Sequence, residues 1–296
     1  MPDDDQRFGA EEVIEIASRL GADDSTFVVG GQATNLWAWY YRDRSPALQF
    51  DDPLTSVDID YFGSFRVAQD FAALIGGRVF RPDADTMNSP STAKVVTEYD
   101  GKILTIDFLN GILGVKPKEL ETGVSNLIVE ADLAGEPKHV EIAVLHPVLC
   151  LRSRVANMLH PALLRRDAFA WRQLHAAIAV VTCYVGENLD LGDWREAKLC
   201  LADLFAYLRS DPMAHRAETE LGVDLLAILR RFADDERIEV RYRSHQLTSM
   251  IERVTARADS RTMRLSEREA RRELAAVQDD AEDNCPVGAR STKPGL

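Results

Sequence analysis

Several features that would point directly to a class of protein are missing from this sequence. The four cysteines are Cys150, Cys183, Cys200 and Cys285. None forms a Cys-x-x-Cys pair, which argues against a zinc site or a disulfide framework, so we expect reduced thiols. No apolar run reaches the roughly 20 residues that a membrane-spanning helix needs. Residues 1–12 are acidic and lack the basic and apolar regions of a signal peptide. We therefore expect a soluble, cytoplasmic protein with no membrane partner.

Positive charge is also scarce, and it is unevenly distributed. The formal net charge is −13. Residues 1–145 hold 12 Lys and Arg against 25 Asp and Glu, whereas residues 146–272 hold 21 against 18. The whole chain is not an obvious nucleic-acid binder, because contacts to phosphate dominate such affinity. The arginine-rich second half leaves two interpretations open, a local basic face or an exposed helical surface of mixed charge.

The most informative segment runs from Phe27 to Gly63 and contains two closely spaced acids. It ends with the sequence Val57-Asp58-Ile59-Asp60-Tyr61-Phe62. Alternation along a strand places Asp58 and Asp60 on one side and Val57, Ile59 and Tyr61 on the other. Two adjacent carboxylates repel each other unless a cation lies between them. Oxygen ligands favour Mg²⁺ held together with substrate phosphates.

A glycine pair and a third acid accompany these two aspartates. Gly30-Gly31 follows a short apolar strand, where backbone N–H groups can approach a phosphate without interference from Cβ atoms. Residues 102–108 form a second arm of a predicted β-hairpin, whose turn is Asp100-Gly101. Asp107 lies in that arm, where an unpaired acid is costly. The hairpin can carry Asp107 to a strand beside Asp58 and Asp60.

The helix predicted after the glycine pair, from Gln32 to about Tyr41, is rich in aromatic residues. They are Trp37, Trp39, Tyr40 and Tyr41. They could stack on a nucleotide base, but aromatic residues on such a helix more often pack against a sheet, and we favour packing.

Taken in order, these motifs resemble the nucleotidyltransferase fold of the DNA polymerase β superfamily. The closest resemblance is to its AbiEii/AbiGii-type toxin branch, with a GG-x-A turn followed by S-x-D-h-D-h-F. The matching residues are Gly30, Gly31, Ala33, Ser56, Asp58, Asp60 and Phe62. The resemblance implies an α+β protein in which residues 1–145 form a nucleotidyltransferase-like mixed sheet with flanking helices. The resemblance covers the first half of the chain well and the second half loosely.

The second half changes to helical periodicity. From Pro147 to about residue 278 apolar residues recur with the 3.6-residue period, which predicts a helical domain over 146–278. Residues 279–296 are polar and rich in acids, Pro and Gly, and we expect a disordered tail.

AbiEii-like proteins tend to carry a Lys on the first helix of this region and an Arg-Asp pair about a dozen residues later. By that resemblance Arg152 lies near the Lys position, with Arg154 as an alternative, and Arg166-Asp167 lies near the pair. An arginine can hold a phosphate with two hydrogen bonds, but unlike lysine it does not lose its proton. A helix-surface charge or an interhelical ion pair remains the other interpretation of Arg152 and Asp167.

The resemblance implies a Mg²⁺- or Mn²⁺-dependent nucleotidyltransferase that moves a nucleoside monophosphate from an NTP to an acceptor hydroxyl. Asp58, Asp60 and Asp107 would hold the metal ions, and Asp107 would also help to deprotonate the acceptor. Gly30, Gly31 and Ser56 would bind the nucleotide, with Arg152 and Asp167 also assigned to the catalytic site.

Which NTP is used and which molecule accepts the nucleotide stay open. The acceptor could be RNA such as tRNA, for a toxin of a toxin–antitoxin or phage-defence system with a cognate antitoxin. A small molecule or a protein hydroxyl fits the same site. A non-catalytic relative that only binds nucleotides is a further alternative.

Overall fold

A computed structural model describes residues 7–19, 25–82, 90–133, 136–163 and 166–283. The predicted α+β class is confirmed. The described chain contains one seven-stranded mixed sheet and ten α-helices.

The sheet has the spatial order β3-β4-β5-β2-β1-β7-β6. Its strands are β1 (Phe27–Val28), β2 (Asp58–Phe62), β3 (Arg78–Phe80), β4 (Ser91–Tyr99), β5 (Lys102–Leu109), β6 (Val124–Leu133) and β7 (Glu136–Leu145). Strand β2 is antiparallel to β1 and parallel to β5, and β1 is parallel to β7. The two aspartate-bearing strands therefore lie next to each other in the middle of the sheet.

The predicted hairpin is confirmed as β4 and β5. Asp100 and Gly101 have φ angles of 49° and 72°. These positive values are the ones that a two-residue type I′ turn requires at both positions. The turn sets the pairing between the two arms, from Tyr99 opposite Lys102 to Lys94 opposite Asp107.

Helices of the first half contact strands of the sheet, and helices make up most of the second half of the chain. They are α1 (Ala10–Ser18), α2 (Gly30–Tyr40), α3 (Phe65–Ile75), α4 (Pro117–Thr122), α5 (Pro147–Leu159), α6 (Ala168–Asp190), α7 (Trp194–Ser210), α8 (Pro212–Leu221), α9 (Leu226–Phe232) and α10 (Thr248–Asp283). A 3₁₀ turn at Pro46–Leu48 and a π-helical segment at Tyr242–Leu247 complete the described elements.

Helix α2 connects the sheet to the helical half. Trp37 and Tyr41 are buried and stack on each other, and the Trp37 indole donates to the carbonyl of Leu145 at 2.9 Å. The preference for packing is confirmed for these two aromatics. Helices α5 and α6 both pack against α2, and one cluster of buried side chains continues from the sheet into the helices. The division into domains at residue 145 stays a prediction.

Two predictions concern the end of the chain and its thiols. Helix α10 extends to Asp283, so it includes the first residues of the segment predicted to be disordered. The remainder of that segment, with Cys285, lies outside the described residues. Cys150, Cys183 and Cys200 are free thiols. In the described ranges no helix is both long enough and apolar enough to cross a membrane.

Candidate metal centre

Strands β2 and β5 bring three aspartates together. Asp60 is the register partner of Asp107 on the parallel neighbour β5, and Asp58 is two residues earlier on β2. Ile59 and Tyr61 lie on the other face of β2, as predicted, and both are buried in the core. Val57 precedes the strand and is exposed, because the strand alternation begins only at Asp58. The three carboxylates therefore share one face of the sheet.

The three side chains form a compact set of oxygen donors. One carboxylate oxygen from each lies within 4.8 Å of the others, and all three side chains are partly exposed. Three carboxylates at this spacing match the donors that Mg²⁺ and Mn²⁺ prefer. The residues present thus fit a divalent metal ion.

Ser56 supports this set from the segment before β2. Its hydroxyl donates to Asp58 Oδ1 at 3.0 Å, while its backbone pairs with Phe8. Ser56 therefore contacts the site through Asp58. Its hydrogen bond restricts the rotation of the Asp58 carboxylate.

Lys94 places a positive charge at the edge of the set. Its ammonium nitrogen lies 3.5 Å from Asp107 Oδ1. The pKa of Asp107 is raised above its ordinary value, chiefly because burial disfavours the charged form, and Lys94 opposes the rise while Asp58 adds to it. Burial is therefore the main effect on this acid, and the lysine only partly offsets it.

Gly30 is required by the position of Asp60. It begins α2 with a φ angle of +65°, and a Cβ atom there would lie 2.1 Å from Asp60 Oδ2. Only glycine combines this backbone conformation with such a close carboxylate. The glycine that was predicted to admit a phosphate thus also gives Asp60 its space.

The first turn of α2 is surrounded by polar groups from α5 and α6. A Cβ atom at Gly31 would lie 3.1 Å from Gln173 Nε2 and 3.6 Å from Arg154 Nη1. Arg154 donates to Gln173 Oε1 at 2.9 Å, and Gln173 donates to Asn35 Oδ1 at 3.0 Å. The N-cap residue, Val29, forms no side-chain hydrogen bond to this turn. Helix N-termini of this kind attract anions.

Arg152 does not contact the first turn of α2 but lies beside Glu119. Its guanidinium donates to Glu119 Oε2 at 2.8 Å and lies over the ring of Tyr207. Arg152 and Arg154 are two positions apart, which is about 200° around a helix, so they point to opposite sides of α5. Of the two arginines considered for the Lys position, the structure brings Arg154 next to the glycine pair.

Arg166 and Asp167 both form their contacts within the helical half of the chain. Asp167 is the N-cap of α6 and accepts from Ala170 N at 2.8 Å. Arg166 donates to the carbonyl of Met158 and lies near Glu220. These contacts correspond to the structural interpretation of the pair, and none of them joins it to the three aspartates.

Sequence reasoning missed two residues of this region. Lys94 was detectable, because a two-residue turn at Asp100-Gly101 sets the register that places residue 94 opposite Asp107. Gln173 had no such signal. It is one polar residue within a long amphipathic helix, and only the packing of α6 on α2 brings it to Gly31.

Comparisons with known proteins add no assignment. No family model, no curated protein and no solved structure matches this chain.

Proposed function

We propose that this protein is a metal-dependent nucleotidyltransferase with a DNA polymerase β-type catalytic region. The observation that carries the proposal is the set of three aspartates on parallel neighbours β2 and β5, next to a glycine that opens a helix. An acidic set alone would fit many metal sites. Its position beside the first turn of α2, where the N-cap residue Val29 forms no side-chain hydrogen bond, favours a substrate that carries phosphates.

Each element has a role in holding an NTP and an acceptor hydroxyl. Asp58 and Asp60 supply oxygen donors, and Ser56 orients Asp58. The first turn of α2, at Gly30 and Gly31, binds the terminal phosphates through its N–H groups. Divalent cations, when bound, neutralise the triphosphate and lower the pKa of the attacking hydroxyl.

Asp107 suits a proton-accepting role at the acceptor hydroxyl. Burial raises its pKa toward the range in which a general base is effective. Arg154, beside Gly31, adds positive charge near the phosphates and stays protonated throughout the reaction. Residues of the chain therefore contribute position and electrostatics rather than covalent chemistry.

The acceptor remains the open part of the proposal. RNA such as tRNA, a small molecule and a protein hydroxyl all fit a site with these groups. A toxin that modifies RNA, together with a cognate antitoxin, is the form that the resemblance to AbiEii-type proteins favours.

A second candidate is a protein that binds nucleotides without transferring them. Lys94 favours it, because an ammonium group 3.5 Å from Asp107 competes with a metal ion for that carboxylate. Metal-dependent turnover separates the two candidates.

The test is label transfer from each α-³²P-labelled NTP to total RNA, in Mg²⁺ or Mn²⁺, with the wild type and Asp58→Ala. The matched control is Asp70→Ala, which removes an exposed acid of α3. Label on RNA that is lost only in Asp58→Ala is the expected result. Label on protein would assign a protein acceptor. NTP binding without transfer to RNA, to protein or to a panel of small-molecule hydroxyl acceptors would support the second candidate.

A further inference from the structure

Helix α10 carries a continuous row of arginines that the proposed active site does not use. The arginines are Arg253, Arg257, Arg261, Arg264, Arg268, Arg271 and Arg272. They recur every three or four residues, and a helix turns about 100° per residue, so all seven fall within an arc of about 100°. The row extends about 28 Å along the helix axis.

The arc contains hardly anything else. Between Arg257 and Arg271 every position that falls within it is an arginine. The acids Glu252, Asp259 and Glu267 fall outside it. Charges of the two signs are thus separated around the helix, which differs from the mixed surface that the sequence also allowed.

These side chains are available to a partner. Arg261 is partly buried, and the other six arginines are exposed. Among the side chains that the structure describes, which do not include those of Glu269 and Glu273, no carboxylate forms an ion pair with any of the seven. Other arginines of the helical half are paired, such as Arg230 with Asp224 at 2.8 Å and Arg172 with Asp52 at 2.9 Å.

Helix stability does not explain the row. Like charges three or four residues apart repel and destabilise a helix. The proximity of Arg257 contributes, after burial, to lowering the pKa of Arg261. The N-terminal part of α10 is held instead by apolar contacts of Met250, Ile251 and Val254 with the core, so the arginines are not needed to attach it.

Between Arg257 and Arg271 no apolar side chain falls within the arc, which indicates the kind of partner. The centre of a protein–protein interface is depleted in charge and enriched in aromatic and apolar groups. A nucleic acid instead presents a regular row of phosphates, which guanidinium groups bind with paired hydrogen bonds. A straight cationic row about 28 Å long matches that geometry.

We propose that the arginine face of α10 binds the phosphate backbone of a nucleic acid, independently of base sequence. This inference goes beyond the proposed reaction, because it concerns binding alone and holds whatever chemistry the three aspartates perform. It also explains how a chain with a net charge of −13 approaches a polyanion, since the positive charge is concentrated on one face.

The test measures the binding of a fluorescein-labelled 20-nucleotide RNA hairpin by anisotropy, in EDTA and without NTP. EDTA removes metal-bridged contacts at the aspartates, so failure of the transferase proposal leaves this result unaffected. The variant replaces Arg253, Arg257, Arg264 and Arg268 by Gln. The matched control replaces four exposed arginines outside α10, Arg66, Arg78, Arg195 and Arg241, and changes the net charge by the same amount.

The wild type and the control should bind alike, and the α10 variant should bind at least ~10-fold more weakly at moderate salt. The slope of log K against log salt should become less steep by about 3, because four phosphate contacts are lost. A DNA hairpin of the same sequence should behave similarly.

Equal losses in both quadruple variants would assign binding to net charge alone and overturn the proposal. Absence of RNA and DNA binding by the wild type would also overturn it. Binding of poly-glutamate without binding of RNA would assign the face to an acidic protein instead. Circular dichroism and thermal melting of each variant show that the fold is retained.

Discussion

Asp60 and Asp107 are register partners on the parallel neighbours β2 and β5, and Gly30 lies against the Asp60 carboxylate. Two acids that are distant in the chain thus meet at one position of the sheet. The start of α2 lies beside them. Changes at any of the three should affect metal binding in different ways, and those differences can be measured.

Removal of one carboxylate should abolish metal binding without unfolding the protein. Asp60→Asn should lower the affinity for Mn²⁺ by more than ~100-fold, since loss even of an outer-shell partner costs 10–100-fold. Isothermal titration calorimetry measures this directly. Asp70→Asn, on the exposed face of α3, is the control. An Asp60→Asn protein that binds Mn²⁺ like the wild type would contradict the assignment.

Asp107→Asn should stabilise the protein in the absence of metal. Burial raises the pKa of Asp107 in the folded state. The folded protein therefore binds this proton more tightly than the unfolded chain, and stability is lost as pH rises from about 4 through the raised pKa. At pH 7 the variant should unfold at higher denaturant concentration than the wild type, and at pH 3.5 the difference should shrink. A gain that does not depend on pH would show that ionisation of Asp107 is not the cause.

Gly30→Ala should lower the free energy of unfolding by more than its backbone angle alone explains. Gly30 and Gly76 have similar φ angles of +65° and +70°, but a Cβ atom at Gly76 meets nothing within 4 Å. Gly76→Ala should therefore lower the free energy of unfolding only by the roughly 1–2 kcal/mol that the left-handed conformation costs. Gly30→Ala should lose more and should also displace Asp60, so Mn²⁺ affinity falls as well. Denaturant unfolding and metal titration of both variants test this. Equal losses of stability with intact metal binding would show that the Asp60 contact is unimportant.

Substitutions of Arg154 and of Arg152 should have different effects on NTP affinity and on stability. Arg154 lies beside Gly31, so Arg154→Met should weaken NTP binding by roughly 10–100-fold, the value of a hydrogen bond between charged groups. Arg152 holds Glu119, whose pKa it lowers by hydrogen bonding, so Arg152→Met should reduce stability and leave NTP affinity unchanged. Fluorescent-nucleotide titration with thermal melting distinguishes them. The opposite pattern would return Arg152 to the nucleotide site.

The elements of the first half were predictable because their signals are local. The D-G turn and the alternation of Asp58 and Asp60 both depend on neighbours in the chain. The same turn implied the pairing of Lys94 with Asp107, although that consequence was not recognised in the sequence. In the second half the helices were predicted, but which side of α5 faces α2 was not, since α5 is buried almost all round.

Local sequence signals predict that β2 presents Asp58 and Asp60 on one face, that a tight hairpin carries Asp107, and that a helical half follows. These properties follow from side-chain alternation, turn stereochemistry and apolar periodicity, which act over a few residues. Three other relationships arise from the packing of the folded chain. Asp107 is the neighbour of Asp60, and Gly30 makes room for the Asp60 carboxylate. Arg154 with Gln173, rather than Arg152, reaches the first turn of α2. Those relationships depend on the packing of elements that are distant in the chain, and no local pattern encodes the direction in which one helix faces another.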